Sequence, residues 1–473
     1  MKTIFYELNE VPKRLFDFYA EAKPESAFAR LKKASNLFTT MTADVGQLSP
    51  WITWPTLHRG VSNVTHKISD LGQDLSDVNK ELPSVWNILA DNGVSVGVFG
   101  SLQSYPIPAA LENFKFYVPD TFAADSECFP DKLTAFQKFN LSMVRKNGRN
   151  VSSGVAMKEA KEFVKRAPSL GLRGSTLLSL SRQIMVERIN KDRLVRRRTS
   201  QVELAFDFYI KQLASTQPDV SFFFTNHVAS SMHRYWPTIF PKDYQEGKFD
   251  KGWLEQWSKE IPHSVKIANQ QLNWLMDYAN KNNCRLVVLS SMGQAAVEEV
   301  EPIHSQVLIT DVTSLMDYLG FTRSEWEPRL AMAPRVVVNI MASEYEKNLQ
   351  KLNEISVNGT KVNYKVLESG DIRFDIMCTN QEQLIVSDAE GKPLDPAKIG
   401  ISNVQLQDAS GSYAYHIPEG ILIDYAPGQS AGRVTTDWVD ASVLDVAPSL
   451  LNQFSINKPS YMSGDDKLFS KDN

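Results

Sequence analysis

The chain has 473 residues, of which 42% are hydrophobic and 22% are charged, and its formal net charge is −4 at pH 7. This is the composition of an ordinary soluble globular protein, long enough for one large α/β domain with insertions or for two to three smaller domains. The near-neutral charge argues against a general nucleic-acid-binding protein, so we expect no nucleic-acid partner.

The cysteines and the hydropathy pattern predict a compartment. Cys128, Cys284 and Cys378 are widely spaced and odd in number, which gives no disulfide or zinc framework and suits a reducing environment. The first residues lack the long apolar core of a secretory signal. No window reaches the roughly 18 uninterrupted apolar residues of a spanning helix. We therefore expect no membrane span and a cytoplasmic location.

The predicted elements alternate between helices and apolar strands. Residues 3–8 predict a first strand, and a helix follows it to about Tyr19. Three helix-to-strand units come next in chain order: helix 84–92 with strand 94–100, helix 203–216 with strand 220–226, and helix 264–283 with strand 285–290. Such alternation is typical of an α/β fold with a mainly parallel sheet covered by helices on both faces.

Two regions break this alternation and predict insertions in a single core domain that spans residues 1–473. Residues 130–200 are helical and polar, and residues 335–415 are rich in strand and turn signals. The helical insertion carries the basic run RINKDRLVRRR at 188–198. This run is either an anion- or membrane-facing patch or a solvated helix face, and the general behaviour of charged helices favours the solvated face.

The segment PWITWPTLHRG at 50–60 combines aromatic residues, prolines and hydroxyls. Its prolines and Gly60 predict a rigid turn that could hold the hydroxyl of Thr53 at a fixed angle. An alcohol is a poor nucleophile unless a base or a metal lowers its pKa. From these residues alone, an aromatic loop packed on the sheet is favoured over a nucleophile.

Three histidines lie close to predicted strands. His227 and His233 follow strand 220–226, and their six-residue spacing does not place them on one helical face. His416 precedes a Pro-Glu-Gly turn and another apolar strand. A single histidine is weak evidence for a metal, because zinc sites normally need three or four protein ligands. His416 therefore matters only if the fold brings it near His233.

Taken in order, these segments resemble the alkaline phosphatase superfamily, specifically its type I phosphodiesterase and nucleotide pyrophosphatase branch. ITWPTLHRGVSNVTHKI at 52–68 resembles the segment that holds the family's threonine nucleophile. HIPEGILIDYAPG at 416–428 resembles the strand with a late metal ligand, and residues 443–464 resemble the closing helix and tail. The resemblance covers most of the chain. It implies an alkaline-phosphatase-like fold and chemistry at two zinc-like ions.

The sequence departs from the family pattern at most of the metal-ligand positions. Asn9 stands where the first strand should end in Asp, and Ala229 stands where an Asp should precede His233 by four residues. Ser291 and Met292 stand where Asp and His should follow a later strand, and both are poor ligands for a hard dication. The resemblance therefore implies a degenerate site from which the two-metal centre is lost.

The surviving ligand positions, His233 and His416, imply at most one divalent metal, either zinc or manganese. Asn9, Asn226 or His227 could complete the ligand set, and a carboxylate beside Asn9 is a further choice. In this hypothesis the protein is a divergent hydrolase or transferase that acts on a phosphate- or sulfate-type ester. Its candidate nucleophiles are Thr53 and, as the nearest rival, Thr56. Its candidate substrate-binding residues are Glu7, Glu10, His58 and His66.

The alternative hypothesis is a non-catalytic binding or assembly protein that keeps the fold. Its ligand would be an anionic small molecule or a glycan. The lost ligands argue against the family's reaction, because a fold does not carry a function by itself. The opening ELNE resembles proteins of surface-polysaccharide biosynthesis, and metal-free chemistry on a glycan is a third reading of the same pocket.

Overall fold

A computed structural model gives the structure of the chain. It describes all residues except 147–156, 330, 332, 333, 368, 377, 429–436 and 470–473. The helices are α1 (Lys13–Ala22), α2 (Ala27–Ala34), α3 (Pro50–Arg59), α4 (Asn63–His66), α5 (Ser76–Glu81), α6 (Val85–Asp91), α7 (Thr134–Lys146), α8 (Met157–Leu170), α9 (Gly174–Ile189), α10 (Arg197–Thr216), α11 (His227–Tyr235), α12 (Lys251–Trp257), α13 (Glu260–Asn282), α14 (Val312–Leu319), α15 (Tyr345–Gln350) and α16 (Val446–Gln453).

The strands are β1 (Thr3–Leu8), β2 (Asn36–Met41), β3 (Val96–Phe99), β4 (Phe114–Val118), β5 (Val220–Thr225), β6 (Arg285–Leu289), β7 (Gly293–Ala296), β8 (Ser305–Ile309), β9 (Trp326–Arg329), β10 (Val336–Ile340), β11 (Ser356–Val357), β12 (Thr360–Lys361), β13 (Asn363–Val366), β14 (Ile372–Asp375), β15 (Val386–Ser387), β16 (Ile401–Gln405), β17 (Ala414–Ile417), β18 (Glu419–Tyr425) and β19 (Trp438–Ser442).

Eight strands form the central sheet in the order β19-β2-β18-β6-β1-β5-β3-β4. The strand β1 lies between β5 and β6 and runs parallel to both, so that Phe5 is opposite Phe222 on one side and Val287 on the other. Only β18 runs antiparallel to its two neighbours in this sheet, β2 and β6. The mainly parallel sheet predicted from the helix-to-strand units is therefore confirmed.

Helices cover both faces of the sheet, and the side chains of β1 alternate between them. Tyr6 packs in the hydrophobic cluster on one face, and its hydroxyl donates to Gln271 Oε1 of α13 at 2.6 Å. Phe5 packs on the opposite face in the cluster that includes Trp54 of α3 and Leu450 of α16. The predicted α/β fold with two covered faces is thus confirmed.

Helices α7 to α10 occupy most of the region predicted as a helical insertion. The guanidinium groups of Arg193 and Arg196 both bind the carboxylate of Glu260, and Arg197 binds Glu187 at 2.7 Å. Much of the basic run is therefore used in ion pairs within the protein. The limits 130–200 stay a prediction.

The β-rich region has a hydrophobic cluster of its own, which extends from Val307 to Ile401. Small sheets surround it, with β13-β14-β10-β9 as the largest and β8 paired with β16. This cluster begins before residue 335, while β17 pairs with β7 beside the central sheet. The limits 335–415 and the single-domain interpretation stay predictions. None of the helices in the described ranges combines the length and apolar character needed to span a membrane.

Candidate functional site

Polar residues gather where the parallel strands of the central sheet end. Asn9 and Glu10 follow β1, Asn226 follows β5, and Ser291 lies just beyond β6. The carboxyl ends of parallel strands form the edge at which α/β proteins usually bind ligands. The candidate site is therefore on the expected side of the sheet.

Glu10, His233 and His416 form a compact group at this edge. The Nε2 atom of His233 is 3.0 Å from Glu10 Oε2, and the Nε2 atom of His416 is 3.4 Å from the same oxygen. One ligand atom from each of the three residues lies within 4.8 Å of the others. Helix α11 supplies His233 and strand β17 supplies His416, so the fold unites three distant segments.

Backbone carbonyls fix the orientation of both imidazole rings. His233 Nδ1 donates to Ala414 O at 2.6 Å, and His416 Nδ1 donates to Leu48 O at 2.8 Å. A carbonyl oxygen only accepts, so Nδ1 carries a proton in both rings and Nε2 faces Glu10. A second hydrogen bond of this kind is usual for histidines that bind a metal through the other nitrogen.

The carboxylate of Glu10 is buried and held by several donors. Asn9 Nδ2 donates to Glu10 Oε1 at 2.8 Å, and Gln294 Nε2 of β7 donates to Oε2. Burial by itself would raise the pKa of Glu10, but the charges and hydrogen bonds of His233 and His416 outweigh it and hold the pKa well below its usual value. Glu10 is therefore a stable anion in the interior of the protein.

The same contacts act in the opposite direction on His416. Burial would lower its pKa, but the negative charge of Glu10 and the hydrogen bonds to Glu10 and Leu48 O raise it above 6.5. The raised pKa of His416 favours its charged form beside the carboxylate of Glu10.

The donor set of this group fits a single divalent metal. Two imidazole nitrogens and one carboxylate are a common ligand set of catalytic zinc, which keeps a further position open. The side chain of His233 is 23% exposed, so the group is open to solvent on one side. The sequence named His233 and His416 as ligands, and it named Glu7 or Glu10 both as substrate contacts and as the carboxylate that could complete the set. The position of Glu10 directly after the first strand, beside Asn9, was the available signal.

Three further residues were named as possible metal ligands: Asn9, Asn226 and His227. Asn9 Oδ1 accepts from Trp54 Nε1 at 2.7 Å, and Asn9 Nδ2 also donates to Asn226 Oδ1 at 2.7 Å. His227 is buried, its Nδ1 bonded to Thr225 Oγ1 and its Nε2 to a backbone carbonyl. Burial lowers the pKa of His227 to about 3. These side chains are used in hydrogen bonds within the protein, and their role as metal ligands stays a prediction.

The candidate nucleophile Thr53 lies in α3, and the rigid turn predicted for this segment is wrong. Pro50 begins the helix, and Gly60 ends it in the left-handed conformation. The Oγ1 atom of Thr53 is buried and lies 2.7 Å from Ser291 Oγ at the end of β6. The structure thus places the hydroxyl of Thr53 beside Ser291, one of the residues that stand where the family has metal ligands.

Thr56, the rival nucleophile, is held in a chain of hydrogen bonds away from Thr53. Its hydroxyl donates to Asp44 Oδ1 at 2.6 Å and lies 2.9 Å from His66 Nε2. The backbone N–H of Ile68 donates to His66 Nδ1, so Nε2 carries the proton and donates to Thr56. Burial, with a contribution from the charge of Arg59, lowers the pKa of His66 to about 3. His66 therefore cannot take a proton from Thr56.

The predicted substrate contacts Glu7 and His58 lie in the core. His58 Nε2 is 2.6 Å from Glu7 Oε1, and Ser101 Oγ donates to Glu7 Oε2 at 2.7 Å. The ring of His58 lies between Trp54 and Trp86. Both residues are fully buried, as is His66, and their role as substrate contacts stays a prediction.

No family model and no curated protein matches the chain. Murine ectonucleotide pyrophosphatase/phosphodiesterase 5 is a similar solved structure, with 10% identity, coverage of 97% of this chain and 96% of that chain, and a TM-score of 0.40. A mutant of the alkaline phosphatase PafA has 13% identity, coverage of 98% and 97%, and a TM-score of 0.45. Phosphonoacetate hydrolase from Sinorhizobium meliloti 1021 in complex with phosphonoformate has 13% identity, 94% coverage of each chain and a TM-score of 0.36.

Proposed function

We propose that this protein is a one-metal hydrolase or transferase that acts on a phosphate- or sulfate-type ester. The observation that carries the proposal is the convergence of Glu10, His233 and His416, with both Nε2 atoms directed at one carboxylate. The sequence resemblance to the type I phosphodiesterase branch supports the class of ester. An anionic small molecule or a glycan is the corresponding ligand, and a cytoplasmic location is part of the proposal.

In this proposal the three residues of the group bind the metal, and the residues around them keep them in place. Glu10, His233 and His416 hold zinc or manganese, which when bound supplies positive charge for the ester oxygens and lowers the pKa of a coordinated hydroxyl or water. The carbonyls of Leu48 and Ala414 keep the two rings in the binding tautomer. Asn9 and Gln294 hold the carboxylate in place by donating to Oε1 and Oε2, respectively.

Thr53 is the proposed attacking group, and its surroundings limit what it does unaided. Its partner Ser291 is another alcohol, and an alcohol is not a base that can accept the proton of Thr53. The attack therefore needs a proton acceptor beyond this pair. Water is the competing nucleophile at the solvent-open side of His233.

One observation favours a second candidate function, a non-catalytic binding or assembly protein. The amide of Asn9 bridges Trp54, Asn226 and Glu10 where the resemblance expects the acid of a second cation site. Together with the burial of Thr53, this arrangement supports a pocket that binds an anion without converting it.

Metal analysis and turnover together test the two functions. We expect the purified protein to hold one equivalent of zinc or manganese, and His233→Ala or His416→Ala to lose it. His304→Ala, which changes an exposed histidine, is the control and should keep the metal. Turnover of aryl phosphodiesters or aryl sulfates that disappears in both site variants supports the enzyme. Bound metal without turnover supports the binding protein, and no metal uptake from excess zinc contradicts the site.

Substitutions of Thr53 test the nucleophile separately from the metal. We expect Thr53→Ala to bind metal and lose turnover, while Thr53→Ser keeps a hydroxyl and retains part of it. Thr199→Ala, at a buried threonine of α10, is the control for loss of a methyl and a hydroxyl. Unchanged turnover in Thr53→Ala would instead assign the attack to water.

A further inference from the structure

Helix α9 packs several polar side chains against the protein and exposes most of its large apolar ones, although Leu180 packs against the core. On its packed side, Ser179 donates to Glu203 Oε2 at 3.3 Å and Gln183 donates to a backbone carbonyl at 2.7 Å. Glu187, one turn further on, pairs with Arg197 at 2.7 Å. A surface helix of a globular protein normally has the reverse arrangement, with its apolar side inward.

The solvent side of α9 exposes five large apolar side chains, with Ser181 and Arg188 exposed among them. The α9 apolar face consists of Leu177, Leu178, Ile184, Met185 and Ile189. These are five of the fifteen large hydrophobic side chains that are exposed in the described part of the chain, and all lie within one helix. Single exposed hydrophobic residues are ordinary, but a contiguous set marks an interaction site.

The exposed charges of helix α9 itself have one sign. Arg182 and Arg188 are exposed along it, and Lys191 is exposed just after the end of the helix. Glu187 is the one carboxylate of α9, and it is buried against Arg197. The exposed surface of this helix is therefore apolar and cationic, which suits an apolar partner with negative charge.

We propose that the α9 apolar face docks on the surface of an anionic lipid membrane. A helix with an apolar face and flanking arginines lies in the plane of the membrane interface, where its aliphatic side chains enter the acyl region and its cations meet lipid phosphates. A second copy of the chain fits less well, because pairing two such helices brings like charges together. One helix face also falls short of the roughly 20–30 residues per side of a stable protein interface.

Sedimentation of the full-length protein with lipid vesicles tests this proposal. The wild-type protein should bind vesicles of phosphatidylcholine with phosphatidylglycerol, and bind pure phosphatidylcholine much more weakly. Leu178→Asp and Met185→Asp should each weaken binding by about tenfold or more, because each removes a large side chain from the apolar phase and adds a charge. Arg182→Gln with Arg188→Gln should weaken binding and reduce its dependence on salt.

Ile385→Asp is the matched control, since Ile385 is 61% exposed in the β-rich region and Leu178 is 71% exposed. It should bind vesicles as the wild-type protein does, and circular dichroism should confirm that all variants are folded. Failure of the wild-type protein to bind anionic vesicles overturns the proposal. A wild-type dimer that Leu178→Asp dissociates in light scattering also overturns it, and assigns the face to a second copy. Vesicle binding that is unaffected by Leu178→Asp and Met185→Asp assigns lipid binding to another surface.

Discussion

The backbone of Glu10 has a φ of 57°, in the left-handed region that residues other than glycine rarely adopt. Such a conformation costs on the order of 1–3 kcal/mol and persists only where the surroundings impose it. Here it directs the carboxylate toward His233 and His416 immediately after β1. Asparagine adopts this conformation more readily, so a glutamate at this position argues for a requirement for negative charge.

The ion pair between Glu10 and His416 makes the stability of the metal-free protein depend on pH. The pKa of His416 is raised, so its contribution is complete below about 6.5 and is lost as the pH rises through the folded-state value. The pKa of Glu10 is lowered, so its contribution is present above 4.5 and lost only in acid. With chelator present, the melting temperature of the wild-type protein relative to Glu10→Gln should therefore fall from pH 6 to pH 9.

The comparison with Glu10→Gln isolates this pair from other histidines. His227 and His66 have lowered pKa values, so their contribution to stability is lost as the pH falls, in both proteins alike. Thermal melts of the two proteins across this range provide the measurement. A difference in melting temperature that does not change with pH would show that the pair is not charged.

At the scale of elements, α3 shows how tertiary contacts override a local pattern. Pro55 inside the helix has no N–H for the carbonyl of Trp51, which is why the segment predicts a turn. Gln103 Nε2 donates to Trp51 O at 3.4 Å instead, and Thr56 Oγ1 donates to Ile52 O. A distant glutamine is not visible in the local sequence. The apolar runs of β1 and β6 needed no such partner and were predicted correctly.

The close approach of β18 to the end of β6 yields a prediction at the same scale. A Cβ atom on Gly420 would lie 2.8 Å from Thr40 Oγ1 and 3.1 Å from Met292 N, and closer still to Ser290 O. Gly420→Ala should therefore push β18 from the strand tip and cost roughly 1–3 kcal/mol of unfolding free energy. Because His416 lies just before β18, zinc affinity should fall as well.

Urea unfolding and zinc titration measure these two effects of Gly420→Ala. Gly174→Ala at the start of α9 is the control, because no atom lies within 4 Å of the added Cβ. Wild-type stability and affinity in Gly420→Ala would contradict the close approach.

For the whole molecule, the sequence predicted the sheet better than the site. Local apolar runs in the sequence predict strands, and the strand predicted at 3–8 has the same bounds as β1 in the structure. The partners of a polar side chain depend on contacts across the chain, so the pairing of Glu7 with His58 in the core could not be predicted from the local sequence. The approach of His233 to His416 was stated only as a condition, and the sequence left the choice between the carboxylates of Glu7 and Glu10 open. The left-handed backbone conformation of Glu10 could not be predicted from the local sequence.

The position of the group formed by Glu10, His233 and His416 predicts which segments a bound metal ion would stabilise. The β-rich region leaves the central sheet after β7 and returns through β17, and these strands pair at Gln294 and His416 beside the group. Zinc should therefore protect the core segments that supply its ligands, while the β-rich cluster from Val307 to Ile401 folds on its own contacts. At a free zinc concentration of 100 times Kd, the expected stabilisation is about 2.7 kcal/mol.

Hydrogen exchange measured with zinc and with chelator tests this expectation. Amide protection should increase in 3–10, 227–235 and 414–425, with little change in the strands β11 to β14. His233→Ala should remove the difference, and His304→Ala should keep it. Equal protection throughout the chain would mean that the β-rich region unfolds together with the core, because only a single cooperative unit would transmit the stabilisation so far from the three ligands.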